Sequence, residues 1–279
     1  MNPIHTKPHN PVLYFSHGGG PLPILGDSSH EKMISFLKHL PDKLEKPDAI
    51  VVISAHWEET VPAVIGGDTP PLFYDYYGFP KEAYSIKYPV PGHPVLAKEI
   101  QKLFSKANIH SNIDFKRGFD HGVYIPLKIM YPEADIPCVQ ISLTRGLDPE
   151  QHILMGNALK ELSKRHILII GSGFSFHNMG AFTWNNENIP DKNNDEFQDW
   201  LIRVCTGKGP YKEKEKQLIE WEKMPSARYC HPREEHLLPL HICFGISDEP
   251  AEVIFDDYIL GKRSIAFLWE NTRSHFTPG

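Results

Sequence analysis

Four short apolar runs along the chain end in turn signals, in most cases glycine or serine, which is typical of buried strands. Each run is five or six residues long and consists mainly of apolar residues, without the strict alternation of a half-exposed strand. The runs cover residues 11–15, 49–53, 138–143 and 166–170. We therefore predict that they form the core of a mostly parallel sheet.

Segments with apolar residues at helical spacing separate these runs, which favours an α/β fold. The segments are residues 31–40, 94–104 and 149–164. Near the end of the chain, residues 252–260 and 263–269 flank Gly261 and Lys262, which predicts a hairpin that extends the sheet in the antiparallel sense. We expect residues 1–279 to form one domain, with a central mixed, mostly parallel sheet flanked by helices.

Residues 70–94 depart from both patterns. They hold seven of the 26 phenylalanine and tyrosine residues and six prolines. Proline interrupts helices, so this segment is predicted to be an ordered aromatic loop. It could form a wall or lid for a flat ring, or simply pack as a surface loop.

Composition narrows the possible functions. The chain is 41% hydrophobic and 23% charged, as in ordinary globular proteins. Its formal charge of −6 argues against a protein whose function is to bind nucleic acid or an anionic membrane. The four cysteines form no C-x-x-C pair, and no apolar stretch is long enough to span a bilayer. We expect a cytoplasmic protein.

The glycine-rich motifs do not indicate a nucleotide cofactor. Gly18, Gly19 and Gly20 lack the downstream Gly-Lys-Ser/Thr of a phosphate loop. Gly171 and Gly173 flank one serine but lack the third glycine of a dinucleotide-binding fingerprint. We therefore assign no cofactor-binding residues to these motifs.

Histidine is the more informative residue type, with 16 histidines against four cysteines. His17, His56 and His177 each follow one of the predicted strands. The carboxyl ends of parallel strands share one edge of a sheet, so these three imidazoles should converge there. Imidazole is a common metal ligand and titrates near neutral pH, which makes this edge a candidate metal or acid–base site.

Further candidates lie in residues 230–246 and 117–127. Proline at position 232 suits a helix start, and the residues around it offer imidazole and carboxylate groups. These groups are His231, Glu234, Glu235 and His236. His121 stands beside Gly122, where a loop would leave it free to enter a pocket. By contrast, we expect His241 to be a core residue and His93 a turn residue.

Taken together, six motifs resemble the class III extradiol ring-cleavage dioxygenases, and in particular the DOPA 4,5-extradiol dioxygenase branch. The motifs are Ser16-His17-Gly18-Gly19-Gly20-Pro21, Ser54-Ala55-His56-Trp57-Glu58, Tyr76-Tyr77-Gly78-Phe79-Pro80, Asp120-His121-Gly122, Gly171-Ser172-Gly173 with His177-Asn178, and His231-Pro232-Arg233-Glu234-Glu235-His236. They occur in order from about residue 11 to about residue 270, so the resemblance covers nearly the whole chain.

The resemblance implies one Fe(II) or Zn(II) per chain, a small catecholic substrate and O2. It assigns His17, His56 and His236 as metal ligands. It assigns His177 as the base, or as a fourth ligand when substrate is absent, and His121 as a second catalytic histidine that steadies the oxygen-derived group.

One departure from the family pattern bears on the metal. Protocatechuate-type members complete their ligand set with glutamate, whereas His236 follows Glu235 directly here. An all-histidine set leaves a dication at +2 and suits zinc as readily as iron. A zinc-dependent hydrolase and a non-enzymatic binding protein like those of the Memo family therefore stand as alternatives. Neither the natural catechol nor the oligomeric state follows from the sequence.

Overall fold

The computed structural model describes residues 11–184 and 189–270, and its strands form one sheet. The strands are β1 (Val12–Ser16), β2 (Ala49–Glu59), β3 (Ala63–Ile65), β4 (Asn112–Asp114), β5 (Cys138–Thr144), β6 (Ile167–Gly173), β7 (Glu252–Ile259) and β8 (Lys262–Trp269). Their order in the eight-stranded sheet is β4-β3-β5-β2-β6-β1-β8-β7. All four predicted strands are present.

The four central strands, β5, β2, β6 and β1, are parallel to one another. Strands β1, β5 and β6 are buried along their full length, which explains their continuous apolar character. In register, Val12 pairs with Ile169, and Val51 pairs with the same residue from the other side. The carboxyl ends of β1, β2 and β6 therefore lie together at one edge of the sheet.

Helices cover the sheet in two groups. The α-helices of the described residues are α1 (Leu22–Leu25), α2 (Glu31–His39), α3 (Pro94–Lys106), α4 (His121–Met130), α5 (Pro149–Leu159), α6 (Lys192–Thr206), α7 (Tyr211–Ile219), α8 (Ala227–Cys230) and α9 (Leu238–Ile246). Helix α9 packs on β1, β2 and β6 and is itself covered by α5. Helix α4 packs on β2 and β6 and is covered by α2. The predicted α/β fold is confirmed.

The predicted hairpin is also confirmed. Strands β7 and β8 are antiparallel, with Phe255 opposite Ala266, and β8 joins β1 with Leu268 opposite Leu13. The parallel centre of the sheet therefore acquires an antiparallel edge, as expected from the turn at Gly261.

Two helix predictions need correction. Helix α5 ends at Leu159 and continues as a 3-10 helix, rather than running to residue 164 as α-helix. No helix starts at Pro232: α9 begins at Leu238, with Pro239 in its first turn. The ring of His231 is buried and forms a 2.9 Å hydrogen bond from Nε2 to the carbonyl oxygen of Ser175, so a tertiary contact shapes this segment.

Residues 70–94 form the ordered aromatic loop that their composition predicts, interrupted by a 3-10 helix at Lys81–Ser85. The Tyr74 hydroxyl donates to the Ile86 carbonyl at 2.8 Å, and the Tyr76 hydroxyl donates to the Ala83 carbonyl at 2.6 Å. These bonds tie the first half of the loop to the second.

Neither a disulfide nor a membrane-spanning helix occurs in the part of the chain that the structure describes. All four cysteines are buried free thiols. Among residues 11–184 and 189–270, no helix combines the length and the apolar character needed to cross a bilayer.

Candidate metal centre

His17 directly follows β1, as predicted, and its ring is buried. Its Nδ1 lies 3.1 Å from the Ser172 hydroxyl, which in turn donates its only proton to the carbonyl of Gly122. Because the hydroxyl proton is already used, the Ser172 oxygen can only accept from His17, so Nδ1 carries the ring proton. The Nε2 of neutral His17 therefore has a free lone pair.

His56 lies within β2 instead of following it, because the strand continues to Glu59. The pairing of β2 with β5 shifts register between Ile53 and Glu58, and His56 lies in this irregular stretch. Its Nε2 is 2.9 Å from the Nε2 of His17. The position was predicted at the correct sheet edge, but an irregular strand, not a strand end, presents the side chain.

His236 lies in the turn between α8 and α9, close to the end of β6. Its backbone carbonyl accepts from the amide of Phe174 at 3.0 Å and from the Tyr14 hydroxyl at 3.1 Å. A Cβ on Gly173 would lie 2.1 Å from this carbonyl oxygen, so only glycine permits the approach. The Gly-Ser-Gly motif thus supports two histidines: its serine orients His17, and its last glycine admits the turn that carries His236.

The three Nε2 atoms of His17, His56 and His236 form a compact cluster. The Nε2 of His236 is 3.2 Å from that of His56, close to the His17–His56 distance of 2.9 Å. Three nitrogens bound at about 2.1 Å and at right angles to one cation would lie about 3 Å apart. The spacing therefore fits three ligands on one face of a metal ion.

The protonation of these rings also fits a cation. Burial, and then the neighbouring imidazoles, hold the pKa of each of the three histidines well below its usual value, so the rings are neutral. Lone pairs of neutral rings at this separation repel one another unless a cation lies between them. An all-imidazole donor set suits zinc and iron.

His177 lies four residues beyond the end of β6 instead of directly after the strand. Its backbone amide donates to the Cys230 carbonyl at 2.9 Å, which turns the chain back over the sheet edge. The side chain is 20% exposed, and its Nδ1 lies 3.3 Å from a carboxylate oxygen of Glu235. His177 therefore borders the cluster and is accessible from outside.

His121 is the first residue of α4 and does not lie on a free loop. Its ring centroid lies 3.9 Å from that of His56 and 5.2 Å from that of His17. A Cβ on Gly122 would lie 2.4 Å from the Ser54 hydroxyl oxygen, so glycine lets the start of α4 approach β2. The glycine was predicted to free the histidine, but it permits close packing instead.

Comparison with known proteins now identifies the family. Residues 3–266 match the family described as the catalytic LigB subunit of aromatic ring-opening dioxygenase. The chain belongs to the LigB family of aromatic ring-opening dioxygenases.

LigB-family relatives and a solved structure agree with this assignment. Dioxygenase tasH of Hapsidospora irregularis is 38% identical over 279 residues, covering 93% of this chain and 85% of that protein. A protein of Beta vulgaris named 4,5-DOPA dioxygenase extradiol is 38% identical over 252 residues, covering 88% and 91%. The crystal structure of an uncharacterized protein of Escherichia coli K12 has a TM-score of 0.76 and 28% identity, covering 93% of this chain and 99% of that one.

The candidate centre contains two carboxylates in contact with its histidines. One is Asp75, from the aromatic loop, which the sequence patterns did not single out. The other is Glu235, whose Oε1 lies 3.0 Å from the Nδ1 of His236. Glu234, the other candidate carboxylate, instead pairs with Arg228 at 2.5 Å. The one sequence feature that could have marked Asp75 as a site residue is its position as an acidic residue between two tyrosines.

Three histidines outside this centre have structural roles, as the sequence suggested for two of them. His241 is buried in α9 and its Nε2 lies 2.9 Å from the Leu218 carbonyl oxygen. The Nδ1 of His93 accepts from the amide of Leu96 and so caps α3. His231, which had been considered as a ligand, faces Ser175 instead of the cluster.

Proposed function

We propose that this LigB-family chain is an extradiol, 4,5-type dioxygenase that cleaves a catechol such as DOPA and inserts both atoms of O2. The observation that carries the proposal is the convergence of three neutral Nε2 atoms, from His17, His56 and His236, with His177 and His121 beside them. The name of the Beta vulgaris relative, 4,5-DOPA dioxygenase extradiol, supports the substrate class.

In this proposal His17, His56 and His236 hold one Fe(II) or Zn(II) per chain. Three imidazoles on one face would leave room on the other side for a catechol and O2. Either cation would stabilise the charge of the deprotonated diol, and only Fe(II) would also let electrons pass from the catechol to O2. In the absence of substrate, His177 is close enough to His236 to serve as a fourth ligand.

His177 is the proposed base. A catechol must lose phenolic protons to bind through both oxygens, and imidazole is a suitable acceptor near neutral pH. With Glu235 beside Nδ1, the ring offers Nε2 to the substrate. The same carboxylate stabilises the imidazolium that forms when His177 takes up the proton.

His121 is proposed to steady negative charge on the oxygen-derived group. Its Nδ1 lies 2.8 Å from Asp75 Oδ1, so the proton on that nitrogen is already used. Donation from Nε2 toward the oxygen requires a second proton on the ring, and Asp75 is the charge that balances the resulting imidazolium.

The aromatic loop is the proposed wall for the flat substrate ring. The ring of Tyr76 lies 5.8 Å from that of His121 and 5.4 Å from that of Phe79. Tyr77 is 91% exposed at the tip of the same loop. A planar ring beside His121 would thus meet aromatic faces on this side.

Oxygen uptake tests the proposal. Full-length protein is reconstituted with Fe(II) without air and then given DOPA or a simpler catechol and O2. We expect a yellow ring-opened semialdehyde and one O2 consumed per ring. Failure to consume O2 with any catechol contradicts the proposal. Activity with Zn(II) on an ester or amide without O2 would favour the hydrolase, and a folded, metal-free protein without activity would favour the binding protein.

The proposal extends to the organisation of the chain. Residues 1–279 would form one catalytic domain that acts in the cytoplasm on a small molecule, with no nucleic acid or membrane as partner. The match to the family over residues 3–266 supports the single catalytic unit.

A further inference from the structure

Asp75 joins two histidines of the site. Its Oδ1 accepts from the backbone amide of His121 at 3.0 Å and from the ring Nδ1 at 2.8 Å. Its Oδ2 lies 3.7 Å from the Nδ1 of His56, beyond hydrogen-bond distance, and is buried without a hydrogen-bond partner. The aromatic loop thus places a carboxylate between a proposed metal ligand and a proposed catalytic histidine.

Glu235 makes the equivalent connection on the other side of the site. Its Oε1 lies 3.0 Å from the Nδ1 of His236 and 3.3 Å from the Nδ1 of His177. The rings of these two histidines are stacked, with centroids 3.4 Å apart, so one oxygen reaches both. Again a carboxylate links a proposed ligand with a pocket histidine.

From these contacts we propose that Asp75 and Glu235 are positioning residues that fix the proton on Nδ1 of the imidazoles within hydrogen-bond reach. His121, His177 and His236 then all offer Nε2 to the centre of the site. The inference rests on the proposed function for the identity of the ligands and the base, but the contacts themselves do not depend on it.

The direction of these hydrogen bonds supports the assignment. The Oδ1 of Asp75 also accepts from the backbone amide of His121, a group that can only donate, so this oxygen acts as an acceptor. The Oε1 of Glu235 faces two ring nitrogens, at 3.0 Å and 3.3 Å, and a carboxylate oxygen can accept from both but cannot donate. The ring nitrogens that face them must carry the proton.

The two carboxylates also change the charge of the site. An all-histidine ligand set would leave a dication at +2, but Asp75 and Glu235 together contribute −2 next to the same rings. The imidazole ligands themselves are neutral, and the two carboxylates behind them supply the compensating charge. This arrangement raises the basicity of the ligands and holds their rings in place.

Zinc affinity measured on the full-length protein tests the proposal, by competition with a chelator. Asp75→Ala and Glu235→Ala each remove an acceptor, and we expect each to weaken zinc binding by about 10- to 100-fold. Asp68→Ala, an exposed site on the preceding segment, and Glu234→Ala, which loses only the pair with Arg228, are matched controls and should bind zinc as the wild type does. Thermal unfolding identifies any variant that fails to fold.

Nitrogen NMR of the zinc-loaded protein reports the ring protons directly. In the wild type we expect Nδ1–H in His121 and His177. Asp75→Ala should shift the proton of His121 toward Nε2, and Glu235→Ala should do the same for His177. Glu235→Gln keeps an acceptor oxygen and should restore the wild-type pattern, whereas Glu235→Leu, which fills similar space without an acceptor, should not.

The outcomes are separable from those of the proposed function. Unchanged affinity or unchanged ring protons in both alanine variants would overturn the positioning role, whatever the enzyme does with catechols. Conversely, the expected shifts in a wild-type protein that consumes no O2 would leave the positioning role intact and contradict only the dioxygenase proposal.

Discussion

The ring of His177 lies parallel to the ring of His236, with 3.4 Å between their centroids and 16° between their planes. His177 is the proposed base and His236 a proposed ligand, so the proton acceptor lies in van der Waals contact with a residue that would bind the metal. The stack explains how His177 could act on a substrate oxygen in one state and complete the ligand set in another.

The first prediction separates His236 from its neighbour Glu235. We expect His236→Ala to lose the bound metal, because it removes one of three converging nitrogens. We expect Glu235→Gln to keep a full complement at saturating metal, because the amide oxygen can still accept from His236. Mass spectrometry measures the metal content of both variants. Loss of metal in Glu235→Gln with full metal in His236→Ala would show that Glu235 is the ligand.

The second prediction concerns proton transfer. His177→Asn removes the proposed base, and we expect kcat with a catechol to fall by about 10²- to 10⁴-fold, the usual contribution of general base catalysis. Metal content should stay near the wild-type value, since the other three ligands remain. A variant that turns over at the wild-type rate with a full complement of metal would rule out this role for His177.

The third prediction tests the close approach of α4 to β2. Gly122→Ala would place a Cβ 2.4 Å from the Ser54 hydroxyl, which donates to Asp120 at 2.7 Å and has little room to move. We expect the free energy of unfolding to fall by about 1–3 kcal/mol. Gly146→Ala is the control, since a Cβ there meets nothing within 4 Å. Equal urea midpoints for the two variants would contradict the packing argument.

The fourth prediction is a loss of stability in acid. Burial lowers the pKa of His231 to about 3 and, against backbone hydrogen bonds, those of His152 and His241 to about 4. In the unfolded chain these rings take up protons near pH 6.5, so the unfolded state binds more protons between that pH and about 4. The free energy of unfolding is therefore highest, as far as these rings are concerned, above about pH 6.5. It falls below that pH, by about 2 kcal/mol per ring at pH 5.

Urea unfolding at pH 7, 6 and 5 measures this loss. His166→Gln, which alters a partly exposed ring, is the control and should show the same fall as the wild type. A free energy of unfolding that stays constant from pH 7 to pH 5 would show that these rings are not buried as neutral groups.

The sheet and the histidine edge were predictable because both depend on local patterns. Apolar runs indicated β1, β2, β5 and β6, and the histidines that follow or interrupt them meet where parallel strands end. The exact placement of His56 was not predictable, since it depends on how an irregular stretch of β2 pairs with a distant strand.

The carboxylates were harder to predict because their roles depend on long-range contacts. Asp75 contacts a histidine 46 residues away, and no spacing along the chain signals that contact. Glu235 and His236 are adjacent, so composition alone could not decide which side chain points to the centre. The turn before α9 makes that choice, because the His236 carbonyl accepts from the Phe174 amide and Gly173 leaves room for it.

The aromatic loop contributes both shape and charge to the candidate site. Tyr74 and Tyr76 flank Asp75 in the sequence. The aromatic residues of the loop that forms the proposed ring wall are therefore direct neighbours of the carboxylate that contacts His121. Exchanging residues 70–94 between relatives would therefore transfer the proposed ring wall together with the carboxylate that contacts His121. For protein engineering, replacing this loop should therefore change the substrate preference and the catalytic activity at the same time.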